Sequence, residues 1–130
     1  MSDTLSKYTP QALAVLRIMT ALLFIEHGTQ KLFGFPTTEW DMSGALMTVA
    51  GMLETFGGLM ILVGLLTRPV AFVLSGFMAA AYFMGHFSQG FFPVNNGGDA
   101  AALFCFVFLY LVFAGPGAWS VDTARQPALA

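Results

Sequence analysis

Residues 11–33 read QALAVLRIMTALLFIEHGTQKLF, apolar at almost every position as far as Ile25 and then broken by Glu26, His27, Gln30 and Lys31. About 20 such residues in a helix cross a hydrocarbon core about 30 Å thick. Three further runs of similar length follow, at about 44–66, 70–92 and 100–119, the last weakened by Gly115-Pro116-Gly117. Membrane strands alternate in polarity with a period of two, and these runs do not. Charged residues are 9% of the chain and hydrophobic ones 57%, with a mean hydropathy of +0.75. An average soluble domain carries roughly 25% charge. A soluble fold of 130 residues cannot hide that much apolar surface. The expectation is an all-α integral membrane four-helix bundle, a single domain over residues 1–130, with the lipid bilayer as its solvent.

Connections set the topology. Thr67-Arg68-Pro69 is so short that the second and third helices must be antiparallel neighbours. The two longer connections, around Phe35 to Asp41 and Pro93 to Asp99, then share the opposite face, giving an up-down-up-down order. Lys7, Arg68 and Arg125 fall on the side of the termini and Arg17 leans toward it, whereas Lys31 stands alone beside Glu39 and Asp41. Positive residues favour the cytoplasm, so both termini are expected there and the long loops outside. Thr9-Pro10 reads as the start of the first helix, with Thr9 as its cap. That helix is too long and too polar at Arg17 and Glu26-His27 for a cleaved signal peptide. The one cysteine, Cys105, can form no internal disulfide and reads as packing. A formal charge of −2 without a basic cluster argues against nucleic acid as a partner. No nucleophile triad, P-loop or dinucleotide fingerprint is present.

Function must therefore reside in the polar groups that interrupt the runs, each costly in hydrocarbon. Glu26, His27, Gln30 and Lys31 occupy an arc of about 140° on the first helix, and are expected to face the bundle interior or a wet vestibule. Lys31 taken alone reads as a side chain reaching for the interface. Glu54 lies in the middle of the second run with Gly51 and Gly58 on its face. It is either half of a buried pair with Arg17 or Lys31, a protonated hydrogen-bonding acid, or a group that handles protons or ligand. His86 follows Tyr82 by one turn, within stacking or hydrogen-bonding reach. His27-Gly28-Thr29-Gln30 and His86-Phe87-Ser88-Gln89 both read H-x-[ST]-Q, which places two imidazoles and two amides near one face. Two histidines at one depth also fit a haem b, but no other feature supports one, and no metal cluster is expected. Asp99, opening the fourth helix, reads first as a helix-end acid and second as a closure over the pocket. The 14 phenylalanines and eight methionines are packing and lipid-facing residues that would also line a quinone site.

In combination these segments resemble the DoxX family. The resemblance rests on His27-Gly28-Thr29-Gln30-Lys31-Leu32-Phe33-Gly34, Glu54-Thr55-Phe56-Gly57-Gly58, and Gly64-Leu65-Leu66-Thr67-Arg68. Gly97-Gly98-Asp99 and Gly115-Pro116-Gly117-Ala118-Trp119-Ser120-Val121-Asp122 complete it, so the likeness runs from about Leu16 to Asp122. Such sequences often carry Glu where this chain has Asp99. The resemblance implies a multi-pass protein of the bacterial inner (plasma) membrane. It also implies a link to quinone-coupled redox systems, since relatives are commonly labelled membrane oxidoreductases. It carries over no catalytic set and no cofactor. The leading expectation is a small subunit of quinone-linked chemistry working with a redox partner protein. In it Glu26, Gln30, Lys31, Gln89 and Asp99 would bind ligand, and Glu54, His27 and His86 would act on it. A small-molecule transporter and a structural or assembly subunit without catalysis remain the rivals.

Overall fold

The structure is a computed structural model, and it describes residues 2–126. Four helices carry the fold: α1, Thr9–Phe33; α2, Ala45–Val63; α3, Thr67–Gly85; and α4, Asp99–Ala114. No strand occurs among the described residues. The first three are long and apolar enough to cross a membrane, α3 with the short turn beyond it. At 16 residues, α4 is shorter, about 24 Å long. Single turns of helix at Ser2–Ser6, Pro93–Asn96 and Val121–Ala124 complete the structure, with a 3₁₀ turn at Phe87–Gln89.

The helix ends differ from the sequence expectation in ways the caps explain. Thr9 is the first residue of α1, not its cap; Tyr8 holds the cap position without a side-chain bond, and Pro10 fits the first turn because its φ is already helical. Thr67, not Val70, opens α3, because the Asp122 carboxylate accepts from the amides of Leu66 and Thr67 at 2.8 Å each. The third run stops at Gly85 rather than Phe92: His86 leaves helical geometry and Gly90, at φ 125°, turns the chain back. The fourth stops at Ala114 rather than Trp119, where Gly115 adopts φ 82° ahead of Pro116.

Lipid is as apolar as leucine, so close packing and interhelical hydrogen bonds hold such helices together rather than burial from water. Helices α1 and α2 cross on glycines. A Cβ added at Gly28 would stand 2.3 Å from Thr55 Oγ1 and 2.6 Å from the Thr55 amide nitrogen. Gly51 receives Leu32 and the Lys31 stem, and Gly58 receives Ile25. Helices α3 and α4 form the other close pair, where Ser75 Oγ donates to the Cys105 carbonyl at 2.9 Å. Phe24 joins the pairs, edge-on to Phe104 and Phe108 with centroids 5.2 and 4.9 Å away. Ala21, Ile61, Leu74, Met78 and Leu111 fill the space around it. Phe72, Phe106 and Phe113 point outward, and exposed Trp40 and Trp119 stand near opposite ends of the bundle, as interfacial aromatics do.

At the end holding the α2–α3 turn, the segment after α4 folds back under the helices. Arg17, fully buried, donates to the carbonyls of Pro116, Ala118 (3.1 Å) and Trp119 (2.9 Å). Arg68 caps the last turn of α4 through Val112 and Phe113, a favourable place for a cation. The Asp122 amide donates to the Gly64 carbonyl while its carboxylate caps α3. Burial pushes the Asp122 pKa up, but the bonds from Thr67 and Leu66 and the charge of Arg125 outweigh it. The carboxyl is held below its usual range. Gly64 permits this closeness, since a Cβ there would lie 2.4 Å from that of Ser120.

Candidate functional site

Glu54 sits inside a π-helical turn, Leu53–Gly57, that interrupts α2. Such wide turns often occur at functional positions, because the extra residue re-aims a side chain without ending the helix. Here the Glu54 carboxylate meets Lys31 of α1, with Nζ at 2.8 Å from Oε2 and 3.0 Å from Oε1. The same ammonium donates to the His27 carbonyl at 3.3 Å. Lys31 thus turns into the bundle instead of reaching for the interface. Arg17, the other partner considered for Glu54, is engaged at the opposite end. An ammonium has three N–H donors, and these three acceptors occupy them all.

The rest of the α1 stripe faces elsewhere. Helical rotation of about 100° per residue sets Glu26 about 160° from both Phe24 and Gly28, which are buried. Glu26 accordingly projects outward rather than into the bundle interior, one of the two settings the sequence allowed, because the core side of α1 is fixed by the glycine crossing. Its carboxylate has no hydrogen bond or ion pair among the described residues. His27 is exposed on the side nearer α4, its ring edge-on to Phe104 at 5.8 Å. Gln30 Nε2 donates to the Pro36 carbonyl at 3.1 Å, bending the loop back over the helix. Glu26, His27, Gln30 and Pro36 together line a recess of about 90 Å³. An acid, an imidazole and a carboxamide border it.

His86 belongs to a different arrangement. Its ring stacks on Tyr82 at 6.4 Å, and its Nδ1 lies 3.1 Å from the Asn96 carbonyl oxygen. Asn96, buried, organises this end: Nδ2 donates to the Tyr82 hydroxyl (3.1 Å) and the Gly90 carbonyl (2.7 Å), and Oδ1 accepts from the Gly98 amide (2.8 Å). The Tyr82 hydroxyl in turn donates to the Phe91 carbonyl. Gln89 is exposed on its 3₁₀ turn, and Asp99 is exposed at the start of α4 with Gly98 as the cap. None of His86, Gln89 and Asp99 lines the recess. The expected single pocket is therefore divided into an ion pair, a recess and a loop clasp. Among the described residues, no three His, Cys, Asp or Glu side chains converge on a metal position.

Asn96 went unrecognised in the sequence. Its one signal was a polar residue just ahead of Gly97-Gly98, where an amide side chain can bond its own backbone two residues on. Asp122 was noted only as part of a motif, yet it closes the far end of the fold. The π-turn leaves no mark in hydropathy.

Comparison with known proteins follows the same lines. The DoxX family model matches residues 12–87, the stretch that carries α1, the π-turn and α3. A protein of Haemophilus influenzae described only as uncharacterized is 45% identical over 127 residues, covering 92% of this chain and 95% of its own length. Inner membrane protein YqjF of Escherichia coli is 35% identical over 122 residues, covering 83% of this chain and 87% of its own. No solved structure matches the chain.

Proposed function

This chain belongs to the DoxX family and is a multi-pass protein of the bacterial inner membrane; from that premise we propose that it serves quinone-linked redox chemistry as a small subunit. In this reading the recess of Glu26, His27 and Gln30 lies in the outer leaflet and takes the polar head of a quinone-like molecule. The observation that carries it is the pairing of an imidazole and an unpartnered carboxyl on one recess. A group that alternates between carbonyl and hydroxyl needs a donor in one state and an acceptor in the other. His27 supplies the first and Glu26 the second. The electrons come from a partner protein that carries the redox cofactor. Glu54 pairs with Lys31 and keeps the α1–α2 crossing in register. The lipid tail of the ligand stays in the surrounding bilayer, since about 90 Å³ is too small to hold it.

A second reading, a subunit without chemistry of its own, draws on the saturation of Lys31, whose donors are all spent on the fold. Purification in native lipid, followed by mass spectrometry of bound small molecules, separates the two. Quinone retained by the wild type and by His86→Ala, but lost from His27→Ala and Glu26→Gln, supports the recess. Equal loss from all three variants, or no quinone in the wild type, favours the structural reading.

A further inference from the structure

We infer that a second copy of this chain packs against the outward face of α1 and closes the recess between the two. Leu16, Met19, Leu23, Glu26, Gln30 and Phe33 follow one another at alternating spacings of three and four. That is the 3.5-residue period of a helix seam. All lie on the side of α1 away from the bundle core, and all but Gln30 are exposed. Apolar residues on this stripe would be content with lipid. Glu26 would not.

The ionic side chains Arg17, Lys31 and Glu54 find partners inside the bundle, Arg17 on the carbonyls after α4 and Lys31 on Glu54. Glu26 alone of the ionic side chains within α1 and α2 is turned outward without a partner. It lies about seven residues, or about 10 Å, from the loop end of α1, where the apolar run up to Ile25 gives way to polar residues. A carboxyl at that depth requires hydrogen-bonding partners, which acyl chains do not provide.

The neighbourhood of Glu26 is complementary to itself. His27 follows by one residue and Gln30 by one turn, so a two-fold axis along the membrane normal gathers two carboxyl, two imidazole and two carboxamide groups in adjacent layers. Donors and acceptors then match, with a polar layer inside an apolar seam, the arrangement that fixes register in paired helices. A different protein would have to present this same set, whereas a second copy brings it by symmetry. The recess, bounded in one copy by Glu26, His27, Gln30 and Pro36, gains its missing wall from the other. This inference rests on the recess described above but not on what occupies it.

Cysteine cross-linking in native membranes tests the seam. In a Cys105→Ala background, Met19→Cys and Leu23→Cys should each give self-linked dimers on mild oxidation. Leu103→Cys on α4 and Phe72→Cys on α3, which are equally outward, should not. Adding Glu26→Leu should weaken the Met19→Cys dimer by about 3- to 30-fold, the range that interhelical polar contacts supply in bilayers. Linking that favours α3 or α4, adducts of α1 with other proteins only, or a monomeric mass in lipid nanodiscs would each overturn the inference. Quinone measured in the same preparations keeps the two readings apart. A dimer without quinone removes the ligand reading alone, and quinone in a monomer removes the seam alone.

Discussion

Replacing Lys31 with methionine removes the ammonium while keeping a flexible stem of similar size against Gly51. The carboxylate left behind is almost wholly enclosed, with Glu54 only 4% exposed. At an effective dielectric of about 20, two unit charges about 3 Å apart attract by about 5–6 kcal/mol. Much of that repays their desolvation, so the pair as a whole is worth far less than its attraction. Removal of one member is a different matter, because it keeps the desolvation and discards the attraction, typically at a loss of about 3–5 kcal/mol. Lys31→Met should therefore unfold well before the wild type in lipid nanodiscs. Glu54→Gln should be milder, since the freed lysine is long enough to reach toward the interface. The double variant Lys31→Met/Glu54→Gln should recover most of the loss, with a coupling of about 3 kcal/mol in the double-mutant cycle. Unfolding midpoints by steric trapping or nanodisc melting supply the three numbers. A Lys31→Met protein as stable as the wild type, or a double variant as weak as the sum of the singles, would refute the claim that this pair holds α1 against α2.

Gly28→Ala should cost about 1–3 kcal/mol by overpacking. Thr55→Ala should not rescue it, because the clash includes the Thr55 backbone, while Gly76→Ala, with open space around it, should be silent in the same melt. Asn96→Leu should lose about 1–3 kcal/mol by orphaning the amide of Gly98, read as faster proteolysis of the segment between α3 and α4. For Asp122 the folded pKa is depressed, so its stabilisation is complete above the ordinary carboxylate value of about 3.9 and fades as pH falls through the folded value. Asp122→Asn should accordingly melt below the wild type at neutral pH and converge with it in strong acid. Reporter fusions at the C terminus and within Thr37 to Asp41 should report cytoplasm and exterior; an exported C terminus would place the recess in the inner leaflet.

Hydropathy made the helical membrane fold readable, because a run such as residues 44–66 has few alternatives. The pairing of Glu54 was half readable: a mid-span acid demands a partner, but the choice of Lys31 over Arg17 depends on the π-turn and on three glycines that set how α1 and α2 cross. Rotation about the helix axis was the least readable property. Glu26 and Lys31 belong to one polar stripe in the sequence, yet one turns outward onto the recess and the other meets Glu54. That sorting follows from which face Gly28 buries, and Gly28, set among His27, Thr29 and Gln30, carries no sign of being a crossing point, unlike Gly51 and Gly58 in their apolar run. His27 and His86 share a motif, but Asn96 draws His86 into the loop clasp, a contact made across a reversal that Gly90 permits.

The buried guanidinium of Arg17 has a consequence for how the protein is made. Its acceptors lie about a hundred residues downstream, at Pro116, Ala118 and Trp119. During synthesis the first three helices leave the ribosome while that charge still lacks its protein partners, and water or lipid head groups must solvate it in the meantime. Only the segment after α4 completes the shell, and the same segment brings the Asp122 cap to α3. Assembly thus waits on the segment from Pro116 to Asp122: a nascent chain stalled before Pro116 would hold four helices and an unsheltered cation.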